Sequence, residues 1–165
     1  MIQIRELHIM DADTLSQCMN NVKIWNNLRD FIPYPYARKD AIDFIHLSQK
    51  EAALFNFAIT YNDNFCGVIG LTRQTDVHRQ SMELGYWICE AYWNKGIATR
   101  AIKLATEWAF SNLDINRIFA NVFQHNEASK KALLKNGFLL EGTLKKAVLK
   151  NEILLDEYIF AKLRS

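Results

Sequence analysis

Trp87-Ile88-Cys89-Glu90-Ala91-Tyr92-Trp93-Asn94-Lys95-Gly96-Ile97-Ala98-Thr99-Arg100-Ala101 is the stretch on which the fold turns. Leading into it, Met82, Leu84, Tyr86 and Ile88 alternate with Glu83, Gly85, Trp87 and Cys89, a period of two. Leading out of it, Ala98, Ala101, Ile102, Ala105, Trp108 and Ala109 recur at spacings of three and four. The pattern switches from strand to helix inside a short turn that holds Lys95 and Gly96. A helix that begins this way leaves backbone N–H groups unpaired in its first turn, and the positive end of its dipole adds to their attraction for an anion. Gly96 has no Cβ, so a ligand can approach the backbone closely there. The expectation is a turn that grips a pyrophosphate. A P-loop is excluded because its second glycine and its Lys-Ser/Thr pair are missing. The dinucleotide fingerprint is excluded because Gly96 stands without the other glycines.

Outward from this turn the chain reads as a strand over 1–7, a helix over 12–20 with Asp11 and Asp13 as cap candidates, and a near-helical apolar run from Ile24 to Ile32. Pro33-Tyr34-Pro35-Tyr36 breaks that run, and Asp40 is placed to cap a second helix carrying Ala41, Phe44, Ile45 and Leu47. Strands follow over 55–61 and 65–72, joined at Asn62-Asp63-Asn64, then the central strand over 81–89 and the long helix over 95–112. A strand over 115–123, a helix over 127–135 opened by Asn126 and closed at Asn136-Gly137, and strands over 138–148 and 153–163 complete the order. One domain over residues 1–165 is expected, α/β or α+β, with one layer of sheet and helices on its faces.

Composition sets further bounds. Half of the 165 residues are hydrophobic and 23% are charged, which is ordinary for a globular chain. A net charge of +2 gives no reason to expect nucleic acid or a membrane as partner. Lys145, Lys146 and Lys150 read as a solvated face. Cys18, Cys66 and Cys89 form no metal-ligand pair, and the expectation is three reduced thiols in a cytoplasmic protein with no metal site. There is neither a basic segment followed by an apolar run at the start nor a run long enough to span a bilayer.

Two segments taken together resemble a known family. The first is Glu83-Leu84-Gly85-Tyr86-Trp87-Ile88 followed by Tyr92-Trp93-Asn94-Lys95-Gly96-Ile97-Ala98; the second is Asn126-Glu127-Ala128-Ser129 followed by Gly137-Phe138 and Glu141-Gly142. They are similar to the GCN5-related N-acetyltransferases (GNAT), and most similar to the RimJ/RimL type that acetylates ribosomal-protein N-termini. Asn27-Leu28-Arg29-Asp30 with Pro33, Pro35 and Tyr36 resembles the same branch. The resemblance implies one mixed, mostly antiparallel twisted sheet of six to seven strands, helices on both faces and a splayed central parallel pair. It implies acetyl-CoA as donor, with the diphosphate on the backbone N–H groups of Asn94, Lys95, Gly96, Ile97, Ala98 and Thr99. The family's turn usually opens with Arg or Gln, and here Trp93 stands in that place. The pantetheine arm is expected beside Trp87, Ile88 and Cys89, with Asn126 and Ser129 also contacting the donor.

Acetyl transfer to an amine needs a base, donors for the developing oxyanion and a proton for the leaving thiolate. The resemblance assigns the base to Glu83, acting through water, and the oxyanion donor to a backbone N–H near Ile88. Relatives place a tyrosine where this chain has Leu133, so Ser129 becomes the candidate acid. Trp25, Asn27, Arg29, Asp30, Phe31 and Tyr34 are expected to shape the acceptor site. Roughly a tenth of an α-amine is neutral at pH 7, against well under a thousandth of a lysine, which leans the acceptor toward a protein N-terminus. The carboxylates are scattered in sequence, which counts against a polyamine. A small-molecule amine acetyltransferase and a non-catalytic acyl-CoA-binding domain are the alternatives, and a homodimer is possible.

Overall fold

The structure is a computed structural model that describes residues 1–165. The stretches of period two become strands β1 (Ile2–Glu6), β2 (Leu54–Tyr61), β3 (Asn64–Arg73), β4 (Ser81–Ile88), β5 (Arg117–Phe123), β6 (Leu139–Lys150) and β7 (Ile153–Leu163). They form one seven-stranded sheet in the order β1-β2-β3-β4-β5-β7-β6. Every neighbouring pair is antiparallel except β4 and β5. Two hairpins turn on consecutive left-handed residues: Asn62 and Asp63 (φ 48° and 65°), then Asn151 and Glu152 (φ 51° and 63°). Both φ values positive is the requirement of the two-residue turn whose twist matches the strands.

The parallel pair needs a crossover, and α4 (Ile97–Asn112) supplies it. Its 3.6-residue stripe buries Ile97, Ala101, Ile102, Ala105 and Ala109 against Ile69, Leu71, Met82 and Leu84 of the sheet. Full burial of one such isoleucine stabilises by about 1.5–3 kcal/mol. The helix α5 (Glu127–Lys135) packs on the same side and sends Leu133 wholly into that core. The opposite face carries α1 (Ala12–Met19), the single turn α2 (Val22–Trp25) and α3 (Arg38–Lys50), which bury Leu15, Met19, Ile24 and Ile45 against Ala58 and Val68.

Helix starts are satisfied differently from the expectation at two places. Asp11 precedes α1, but its carboxylate does not cap it. Instead it receives the Arg5 guanidinium at 2.7 and 2.9 Å and the His8 N–H at 2.8 Å. Asp40 lies inside the first turn of α3, where it accepts the N–H of the cap residue Ala37 at 2.7 Å. Asn126 does cap α5, accepting the Ser129 N–H at 3.2 Å.

Two expectations are overturned. Cys18 and Cys89 are joined in a disulfide with Cα atoms 5.2 Å apart, so only Cys66 remains a free thiol. Lys150 is not solvated: its side chain is 3% exposed, its ammonium lies 2.7 Å from Asp30 Oδ1 and 3.3 Å from the centre of the Trp25 ring. A hairpin lysine therefore fastens β6 to the loop after α2. A buried ammonium needs such partners, one anionic and one aromatic.

Candidate active site

The register of β4 and β5 creates the site. The two strands pair only at Ser81–Arg117, Met82–Ile118 and Glu83–Phe119, and beyond Glu83 they diverge. On the other side β4 stays paired with β3, and the Cys89 N–H donates to the Cys66 carbonyl at 2.8 Å. Backbone groups on a strand alternate in direction. Cys89, Trp87 and Gly85 therefore face β3, whereas Tyr86 and Ile88 direct theirs into the gap. The Ile88 carbonyl is taken there by the Trp93 indole N–H at 2.8 Å. Its N–H remains aimed at the opening. The Cys89 amide is used by β3 and its sulfur by Cys18, so neither is free for a ligand.

At the far end of β4 the chain turns into α4. Asn94 and Gly96 both have positive φ, 60° and 72°, and the N–H groups of residues 94–99 have no backbone partner. Alternating hands of this kind make a concave nest of N–H groups. Trp93, where the family's turn usually has Arg or Gln, holds the loop to the strand through its indole. Lys95 folds back, with its ammonium 3.2 Å from the Ala91 carbonyl and 5.1 Å from the centre of the Tyr92 ring. The nest and the gap form one continuous path, of the kind a diphosphate on an extended arm requires. The unpaired N–H groups and the unzipped strand are the structural fit to coenzyme A.

The path leads to a cavity of about 320 Å³ on the α1–α3 side of the sheet. Glu83 lines it, and so do Tyr86, Trp87, Asn126 and Ser129, because the gap opens through the sheet and joins residues from both faces. The Glu83 carboxylate is bound to the Arg29 guanidinium. Tyr86 Oη lies 2.6 Å from Ser129 Oγ, and burial pushes the phenol up to about 12 despite that bond. Leu133 lies in the core, so α5 offers no phenol of its own to the gap.

Of the residues expected at the acceptor side, Asn27, Arg29 and Phe31 line this cavity. Asp30 lines a neighbouring polar cavity of about 290 Å³ together with Arg29, Lys150 and Glu157. Trp25 and Tyr34 line neither cavity. They stack on each other with ring centres 5.2 Å apart, and the Trp25 indole N–H donates to the Ile32 carbonyl at 3.1 Å, so their part is to stiffen the loop. Among the lining residues that escape the sequence reading are Tyr86, Asn121 and Glu157. Tyr86 shares the row of β4 that holds Met82, Leu84 and Ile88, whose other members are buried. A usable signal for Glu157 was its place between Leu155 and Ile159 on one side of β7, a charge interrupting an apolar row. Asn121 breaks the face of β5 that holds Phe119 and Phe123 in the same way.

A family model described as an acetyltransferase (GNAT) domain matches residues 2–139. The chain belongs to the GNAT acetyltransferase family. An uncharacterised N-acetyltransferase of Bacillus subtilis, YoaA, is 31% identical over 86% of this chain and 81% of its own length. A spermidine N(1)-acetyltransferase of Escherichia coli is 28% identical over 87% of this chain and 75% of its own. A solved structure of RimL, a ribosomal L7/L12 α-N-protein acetyltransferase in complex with coenzyme A, superposes with a TM-score of 0.87 at 20% identity, covering 98% of this chain and 93% of that one. This GNAT protein is an acetyl-CoA-dependent N-acetyltransferase, built on the mixed sheet with an unzipped parallel pair that the motifs implied.

Proposed function

We propose that this GNAT enzyme acetylates a primary amine by direct attack within a ternary complex, with the roles divided across the gap. The N–H groups of residues 94–99 hold the diphosphate. The pantetheine arm lies along the opening beside β4, near Trp87 and Asn126. The Ile88 N–H faces the thioester carbonyl, where a fixed donor stabilises the oxyanion without reorganising. Glu83 accepts the amine's proton through water, once the acceptor has taken over some of Arg29's hold on it. Ser129, hydrogen-bonded to Tyr86, supplies a proton to the departing thiolate. The C–N bond forms as the C–S bond breaks; solvent takes the proton from Glu83 and returns one to Ser129, so the products are an amide and a thiol.

The observation that supports this reading best is the end of β4–β5 pairing at Glu83. One break in register frees the strand edge for the arm and puts a carboxylate at the end of the path. The acceptor we favour is an α-amine, for the greater fraction it holds neutral. A polyamine is the second reading. Asp30, Glu83 and Glu157, distant in sequence, line adjoining cavities, which removes the objection that the carboxylates are scattered. Thiol release from acetyl-CoA with n-butylamine, spermidine and unblocked N-terminal peptides separates the two by kcat/KM. Failure of acetyl-CoA to bind the folded protein by calorimetry would end the whole reading.

A further inference from the structure

The acceptor cavity holds a carboxylate that the reading above does not use. Glu157 projects from β7 opposite Phe123 of β5 and lines both the larger cavity and the polar one beside it. The charged groups around these two cavities are Arg29 and Lys150 against Asp30, Glu83 and Glu157. Lys150 is committed to Asp30 and Arg29 to Glu83. That leaves Glu157 as the lining carboxylate with no cation of its own. Next to it, the carboxamide oxygen of Asn121 is buried without a hydrogen-bond partner, as is that of Asn27 on the facing loop. An unpaired carboxylate beside two orphaned carbonyl oxygens is an excess of acceptors on this side of the cavity. It is complementary to a group that carries several N–H donors and one positive charge.

We propose that Glu157 is the residue that receives the acceptor's ammonium group, so that the site selects an amine carrying a single charge at its reacting end. The proposal rests on the amine-acetylation reading and deepens it. Glu157 supplies the counter-charge, and the buried Asn121 and Asn27 carboxamide oxygens add negative potential behind it. The bound ammonium loses one proton to solvent to become the neutral nucleophile, and Glu83 keeps Arg29 as its partner until the second proton leaves. A second or third cation on the acceptor finds no further unpaired carboxylate among the lining groups, so extra charges lie outside the cavities. Burial holds the Glu157 carboxyl above the ordinary glutamate range; Arg29 opposes this and Glu83 adds to it. A bound ammonium reverses that balance.

The experiment needs no turnover. The side-chain carboxyl carbon of Glu157, assigned by its loss in Glu157→Gln, is followed by NMR through a pH titration of the coenzyme A-loaded protein. Its midpoint lies above that of exposed glutamates, and saturating n-butylammonium lowers it, whereas n-butanol leaves it in place. A midpoint that ignores n-butylammonium overturns the proposal. In kinetics, Glu157→Gln raises KM for n-butylamine about tenfold or more, changes kcat less than threefold and leaves acetyl-CoA affinity intact. An unchanged KM overturns the proposal as well. Loss of acetyl-CoA binding in the wild-type protein would instead strike at the enzyme reading, so the two failures are told apart.

Discussion

Tyr86 Oη and Ser129 Oγ meet at 2.6 Å across the opening between β4 and β5, so the residue expected to protonate the thiolate is itself held by a phenol from the strand opposite. Ser129→Ala therefore lowers kcat about tenfold, below the usual loss of roughly a hundredfold or more for general acid catalysis because a thiolate needs little help in leaving. Tyr86→Phe gives a similar loss, and the double variant falls little further, since the pair acts as one unit. Rates at saturating acetyl-CoA measure this. Full additivity would show that the two hydroxyls work apart.

Glu83→Gln keeps the size of the side chain and removes its charge. The expected result is a loss of about a hundredfold in kcat/KM for amines, with the acetyl-CoA dissociation constant unchanged. Stability should move by less than about 1 kcal/mol, because the Arg29 partner is half exposed and such pairs contribute little. Single-turnover kinetics and a urea melt give the two numbers separately.

Gly96 sits at φ 72°, a left-handed conformation that a β-branched residue resists, and an added Cβ would point into open space. Gly96→Val should cost about 1–2 kcal/mol in backbone strain and weaken acetyl-CoA binding at least tenfold by keeping the diphosphate off the N–H groups. Calorimetry reads the affinity and circular dichroism checks the fold. Retained affinity would move the anion site elsewhere.

Asp11 is 6% exposed and held between Arg5 and the His8 N–H. Burial alone would raise its carboxyl, but the Arg5 fork and the His8 amide outweigh it and hold the group below the usual carboxylate range. A depressed folded value stabilises above the unfolded value of about 4 and loses that contribution as pH falls through the folded one. Asp11→Ala should destabilise by about 2 kcal/mol at neutral pH, less than a fully enclosed pair because Arg5 is partly solvated. Urea midpoints of variant and wild type should converge as pH drops from about 6 to about 3.

The Cys18–Cys89 bridge closes a loop with 71 residues of separation and ties α1 to the end of β4. Cys18→Ser should lower stability under oxidising conditions by about 2–4 kcal/mol and have little effect once the wild type is reduced. Thermal melts with and without reductant test it.

Much of this architecture was legible because its signals are local. The alternation through Met82, Leu84 and Ile88 and the helical stripe through Ala101, Ile102 and Ala105 each lie within one element, and Asn126 and Gly137 mark the ends of α5 by their own chemistry. The misreadings share a different cause. Lys150 meets Asp30 across 120 residues, and Cys18 meets Cys89 across 71. No periodicity reports such pairs. The gathering of Glu157 beside Glu83 follows from β7 inserting between β5 and β6, an order that strand patterns alone do not carry. Trp25 and Tyr34 sit in the right loop, yet their rings face each other rather than the cavity.

The gap between β4 and β5 runs through the thickness of the sheet, so the molecule has two doorways rather than one. On the proposed reading the nucleotide end of the donor would dock at the mouth of α4, and the amine would arrive from beneath the α1–α3 layer. Neither traveller would then block the other, so the proposed reaction needs no compulsory binding sequence and no acetylated enzyme as a stopover. Label exchange between acetyl-CoA and free coenzyme A should accordingly be silent until an amine is added.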